Sequence, residues 1–218
     1  MTLLNNYDSK IPKIWFHKIK GVQDVATLKE LEIANKLSKQ RANIFLESRA
    51  YIRQSLGTLF NINPLEIPII ADPGEPPKLP KGMGYLSFSH CCDAIILVWH
   101  EKKIGIDIER VDRDFSYMKL AKKYFLTSKK SNQTSESYKK SILNQWCAIE
   151  AAIKWNHGKL SEDLKEWQYY ENEKTLFHNA KKLKLKFTQI TFYKWTISLA
   201  YKDISQLISN IICSSKII

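Results

Sequence analysis

Gly105-Ile106-Asp107-Ile108-Glu109 constrains the fold of this chain more than any other stretch. Strict alternation of apolar and charged residues marks a strand with one buried face, since alternate side chains share a side. Ile106 and Ile108 are expected to enter a core while Asp107 and Glu109 point outward together. Two carboxylates side by side on a strand repel each other unless a cation lies between them. Further along, Trp146-Cys147-Ala148-Ile149-Glu150-Ala151-Ala152-Ile153-Lys154 reads as a helix with Trp146, Ile149 and Ile153 on its buried stripe. Glu150 and Lys154, four residues apart, share the flank beside that stripe. A third carboxylate and an ammonium held near a carboxylate pair suit a magnesium–polyphosphate site, because magnesium takes oxygen ligands and substrate phosphates. Each feature taken singly has a plainer reading, as an exposed strand edge or as a helix ion pair worth under about 0.5 kcal/mol.

The surrounding pattern predicts an α+β chain. Helical spacing runs from about Thr27 to Phe60, with Ser38 a candidate cap for a second helix inside it. Ile67-Pro68-Ile69-Ile70 is read as a short strand, and the prolines between Asp72 and Pro80 require a loop. Strands are expected at Tyr85 to Ser89, Ala94 to His100 and Lys103 to Val111. Thr127 to Lys140 is polar enough to be a mobile segment, the motif helix should run from about Ser141 to Asn156, and Trp167 to Lys202 should be mainly strands. Within that last region the lysines between Lys181 and Lys186 read as a solvated sheet edge. Helices followed by strands occur twice, which divides the chain into an N-terminal lobe, 1–104, and a C-terminal lobe, 105–218.

The 218 residues suffice for one large domain or two small lobes with a sizeable core. Met1 to Lys10 lacks the basic start and apolar run of a secretory leader, and Ala94 to Trp99 is too short to span a bilayer. Four cysteines without a C-x-x-C pair fit reduced thiols, so a cytoplasmic protein without membrane contact is expected. The net charge of +12 favours a polyanionic partner.

G-[IV]-D-[IV]-E followed by W-x-x-K-E-[AS]-x-x-K is the paired signature of the 4'-phosphopantetheinyl transferases, and this chain resembles their single-chain, surfactin-synthetase-activating type. The first motif matches throughout; the second matches at Trp146, Glu150, Ala151 and Lys154, with Ile149 where the family usually has lysine. Ser89-His90 stands where the family reads F-N-x-S-H-S, with Ser87 in place of the asparagine and Cys91 in place of the second serine. Leu120 to Phe125 resembles the family's next short helix, and Gly158 to Ser161 a shortened G-x-G-L-S loop.

The resemblance implies two pseudo-twofold-related lobes, each with helices on a small, mainly antiparallel sheet, and an active site between them. It also implies transfer of the 4'-phosphopantetheine arm from coenzyme A, the co-substrate, to a serine of an acidic apo acyl or peptidyl carrier protein. Mg2+ is the implied cofactor, held by Asp107, Glu109 and Glu150. Lys154 would contact phosphate, Glu150 would serve as general base, His90 would contact a coenzyme phosphate, and Ser89 would belong to the coenzyme site. Gly74 matches the glycine of an adenine-framing loop in which Glu75 replaces a basic residue. Arg49 and Arg53 fit the S-R-x-x-x-R pattern of the first helical region, and Arg41 falls near a position that meets the 3'-phosphate. A monomer is expected.

The ligand and base roles of Glu150 compete, because a carboxylate tied to metal is a poorer base. Two other functions stay open: a coenzyme- or carrier-binding descendant with impaired turnover, motivated by Ile149 and Glu75, and a basic nucleic-acid-binding protein. The last is motivated only by charge and aromatic content, with no recognised motif beside them, so no nucleic-acid partner is expected. With Ile149 on the edge of the stripe, Ile149→Lys is expected to restore a phosphate contact and speed transfer. Loss of Asp107 is expected to relieve repulsion and leave the fold intact.

Overall fold

A computed structural model describes residues 11–21, 25–71, 75–125, 133–205 and 212–213. The first helix, α1, spans Leu28–Ala34. Thr27 and Glu30 cap it reciprocally, each side chain reaching the other's backbone N–H. Ser38 stands at the N-cap of α2, Lys39–Phe60, which ends where Asn61 adopts the left-handed conformation ahead of Pro64.

Three strands follow: β2 (Tyr85–His90), β3 (Ala94–His100) and β4 (Ile104–Arg110). The long helix α4, Ser135–Asn156, is capped by the Thr134 hydroxyl and stops at left-handed His157. Before it lies a short helix α3, Tyr117–Leu120, and after it α5, Leu160–Asp163. Strands β5 (Trp167–Tyr170), β6 (Thr175–His178), β7 (Leu183–Phe192) and β8 (Trp195–Tyr201) then run antiparallel in succession. Strand β1 is Lys13–Lys18, and β9 is Ile212–Cys213.

Two sheets result, ordered β2-β3-β1-β9 and β4-β8-β7-β6-β5, and among the described residues only the β1–β9 pairing is parallel. The period-two alternation of each strand builds four layers. Trp15, Ile95, Leu97 and Trp99 pack under Tyr51, Ile52 and Leu56 of α2. From the opposite faces, Ile14, Phe16, Ile96 and Val98 meet Ile106, Ile108, Ile197 and Leu199, so the two sheets share an apolar layer. Leu176, Leu185, Phe187 and Ala200 on the far side of the second sheet pack against Ala148, Ile149 and Ala152 of α4. The molecule is α+β, as expected.

Several local expectations are corrected. Lys13–Lys18, not anticipated as a strand, lies inside the first sheet between β3 and β9. Ile67 to Ile70 is not a strand; Pro68 has no N–H to give a ladder, and only Ile70 pairs, with Lys78. The polar stretch before Ser141 is helical from Ser135, with Tyr138 buried, while 127–132 lies outside the described residues. The lysines of β7 are not on an edge strand, since β7 sits between β6 and β8.

Candidate active site

Strands β2 and β4 run side by side where the two sheets abut, and Ser87 joins them by accepting the Ile106 N–H at 3.1 Å. Ser87 was read as a departure from a motif; its short hydroxyl is the link that lets the edges approach. Beside it, Ser89 donates to Asp107 Oδ1 at 2.6 Å. Helix α4 crosses over β4, and Lys154 reaches down from it to Asp107 Oδ1 at 2.5 Å and to Ser89 Oγ at 2.7 Å. Glu150, one turn earlier, stands 3.8 Å from the same ammonium. Asp107 therefore does not project outward: it is 2% exposed, roofed by α4 and paired with a cation. Relief of bare repulsion is not what its removal would bring, because Lys154 would lose its closest counter-charge.

Burial opposes the charge of Lys154, but Asp107 and then Glu150 outweigh it and raise its pKa above the ordinary lysine value. The ammonium donates to Ser89 Oγ, which in turn donates to Asp107, so Ser89 stands as a positioning hydroxyl between them. Burial, followed by the Asp107 charge, pushes Glu150 up to about 8. The same two causes raise Glu109. Glu109 Oε1 accepts from the Trp146 indole N–H at 3.0 Å and pairs with Arg113 at 2.5 Å. His90 ends β2 at the cleft; partial desolvation and then Lys154 lower its pKa, so it stays neutral at pH 7.

These groups line a cleft of about 480 Å3 whose other wall carries Glu75, Pro76, Pro77 and Arg49. Arg49 lies over the Phe45 ring, is only 8% exposed, and its Nη1 has no hydrogen-bond partner among the described residues. As a largely buried guanidinium in the cleft wall, Arg49 is a cation suited to an anion bound there.

The structure thus brings together Arg49, Ser89, His90, Asp107, Glu109, Glu150 and Lys154. It does not bring Arg53, whose Nε holds both Glu30 oxygens at 3.1 and 3.0 Å. Its Nη1 donates to the carbonyls of Pro64, Leu65 and Ile67. Arg53 ties α1 to the turn after α2. Arg41 is exposed on α2 and does not line the cleft. Gly74 lies outside the described residues. Glu75 pairs with Lys78 at 3.5 Å, which offsets the charge that replaces the family's basic residue. Ile149 is fully buried in the layer between α4 and the second sheet, not on a flank open to phosphate.

The donor set suits a hard cation: three carboxylates on one cleft, with Asp107 Oδ2 buried and unpartnered among the described residues. The expected tripod is not drawn tight, however. The one described triad of candidate ligand atoms within 4.8 Å of each other is Cys91, Cys92 and Asp93. That group is poor for metal, since burial pushes the Cys91 thiol up to about 12 and Asp93 is taken by Arg110 and the Trp195 indole. Lys154 and Arg113 neutralise the carboxylate cluster in its place.

Sequence reasoning missed His157, a cleft residue whose signal is its place one turn beyond Lys154, and it missed Arg113. No protein-family model matches the chain, and a search of curated proteins finds no match.

Proposed function

We propose that this protein transfers the 4'-phosphopantetheine group of coenzyme A to a serine of an acidic apo acyl or peptidyl carrier protein, releasing adenosine 3',5'-bisphosphate. Its halves would be the pseudo-twofold lobes of that transferase fold. The observation that carries the reading is the convergence of Ser89, Asp107, Glu150 and Lys154, from three separate elements, on one cleft with the largely buried Arg49.

Coenzyme A brings a diphosphate and a 3'-phosphate, and the cleft offers Lys154, His90, Ser89 and Arg49 to receive anions. Lys154 turns its ammonium from Asp107 toward a phosphate oxygen with little movement, because both lie at the cleft floor. Bound Mg2+ would supply charge neutralisation on the diphosphate, with Asp107 Oδ2 and Glu109 the oxygens offered to it, which leaves Glu150 for the proton. The carrier serine attacks the phosphorus of the pantetheine arm, its proton passes to Glu150, and the bond to the adenosine bisphosphate oxygen breaks. Glu150 suits proton transfer because its basicity is raised toward the working pH. The reaction otherwise rests on positioning and charge, as phosphoryl-type transfers do.

The test incubates the protein with coenzyme A, Mg2+ and an apo carrier protein and follows the carrier by mass spectrometry. Gain of the phosphopantetheine mass, lost with Asp107→Asn, is expected. Coenzyme binding by calorimetry without any transfer would establish the impaired descendant instead. Tight, salt-sensitive RNA binding with neither would favour the nucleic-acid reading.

A further inference from the structure

Glu109 faces two sites at once. Its carboxylate lines the cleft, yet both donors recorded on its Oε1 come from the wall of a second groove on the same half of the molecule. That groove, of about 410 Å3, has Phe115 and Leu120 among its apolar residues and Lys119 and Lys123 among its cations. Arg113 belongs to it, 39% exposed and stacked 5.2 Å from the Phe115 ring centroid, and so does Trp146. An arginine four residues beyond a carboxylate on an ordinary surface would be a dispensable ion pair. Here the carboxylate is largely buried and belongs to a cluster with an unsatisfied oxygen, so the arginine does the work of a counter-ion.

We propose that Arg113 is a resident counter-ion that holds Glu109 toward the groove and must let go before a divalent cation can use that carboxylate. Arg113 is then a positioning residue. An acidic group bound among the groove lysines would draw Arg113 away and ease cation entry, so the two sites communicate through one carboxylate. The inference rests on the cation requirement proposed above, but its test does not use the transfer reaction.

Mn2+ alone is titrated into the protein, with the free ion followed by its paramagnetic resonance signal. Arg113→Gln should bind Mn2+ about two- to fivefold more tightly than the wild type, the factor matching loss of an ion pair of about 0.4–1 kcal/mol. Lys119→Gln, which removes the same charge from the same groove without touching Glu109, should change affinity far less. Asp107→Asn should abolish binding in both backgrounds. The Trp146 emission should shift on Mn2+ addition and cease to do so in Trp146→Phe. Equal affinities of wild type and Arg113→Gln, an equal gain in Lys119→Gln, or no Mn2+ binding in any variant overturns the proposal. Tighter Mn2+ binding in Arg113→Gln without transfer in any variant would leave the counter-ion standing and remove the transferase reading.

Discussion

A Cβ at Gly105 would stand 2.0 Å from the carbonyl oxygen of Ala151 and 2.6 Å from the backbone nitrogen of Trp155. Strand β4 and helix α4 therefore meet backbone to backbone at this point, and neither neighbour is a side chain that can rotate aside. Gly105→Ala is expected to cost about 3 kcal/mol, a fall of roughly 6–12 °C in Tm for a chain of this size. Because the methyl would lift α4, Lys154 and Glu150 would rise off Asp107, and transfer should fall further than the lost stability explains. A melting curve beside a rate measured well below Tm checks both parts.

Glu150 makes stability depend on pH in an unusual direction for a carboxylate. Its ordinary value is 4.5 and in the fold it stands at about 8. Between those two values the folded chain keeps a proton that the unfolded chain has released. This group's contribution is full below 4.5 and is lost as pH rises through 8. Glu150→Gln should thus flatten the stability profile over that window and melt higher than the wild type at pH 8.5, by about 1–2 kcal/mol. Mg2+ added to the wild type should recover part of the difference and have a smaller effect on the variant. Chemical denaturation at several pH values reads the slope.

Arg49 Nη1 is buried with no hydrogen-bond partner among the described residues. Arg49→Met should leave Tm unchanged or raise it, because an unpaired charge is removed from a largely buried site. Coenzyme A affinity should drop at least about tenfold, the worth of a hydrogen bond to a charged group. Calorimetry and melting together decide it: lost stability with unchanged affinity would make Arg49 structural.

Tyr85–His90 and Ile104–Arg110 were legible by alternation and Ala94–His100 by its continuous apolar run, because each strand has at least one face in an apolar layer. Lys13–Lys18 was not. Lysines bracket its short apolar core, and its burial comes from residues far along the chain. Ile67 to Ile70 misled for the opposite reason: β-branched side chains were present while Pro68 left too few N–H groups for pairing. Within the site, the order and spacing of Asp107, Glu109, Glu150 and Lys154 could be read directly. Arg49 and Arg53 sit one helical turn apart and look equivalent in sequence. Only the placement of Glu30 and the 64–67 carbonyls satisfies one and leaves the other with a free donor.

Ile149→Lys was expected to supply a missing phosphate contact. The side chain is fully buried against the second sheet, so a lysine there would place an ammonium in an apolar layer. Such a substitution is expected to cost at least about 3 kcal/mol and to lower soluble yield rather than raise kcat/KM. Ile149→Val, which keeps the packing chemistry, should cost only about 1 kcal/mol. A faster, stable Ile149→Lys enzyme would show that the helix can turn this position to the cleft.

The apolar layer joining Ile96 and Val98 to Ile106 and Ile108 makes the two halves poor candidates for trading as modules. A chain severed at the β3–β4 connection would give one fragment with the bare face of β1 and β3 and another with the bare face of β4 and β8. The first would also lack the strand at Ile212–Cys213 that pairs with Trp15 and Phe16. Each piece alone should associate or precipitate through the exposed face. Co-expressed, the same two pieces should find each other and rebuild the cleft, since Arg49, Ser89 and His90 lie before the cut and Asp107, Glu109, Glu150 and Lys154 after it.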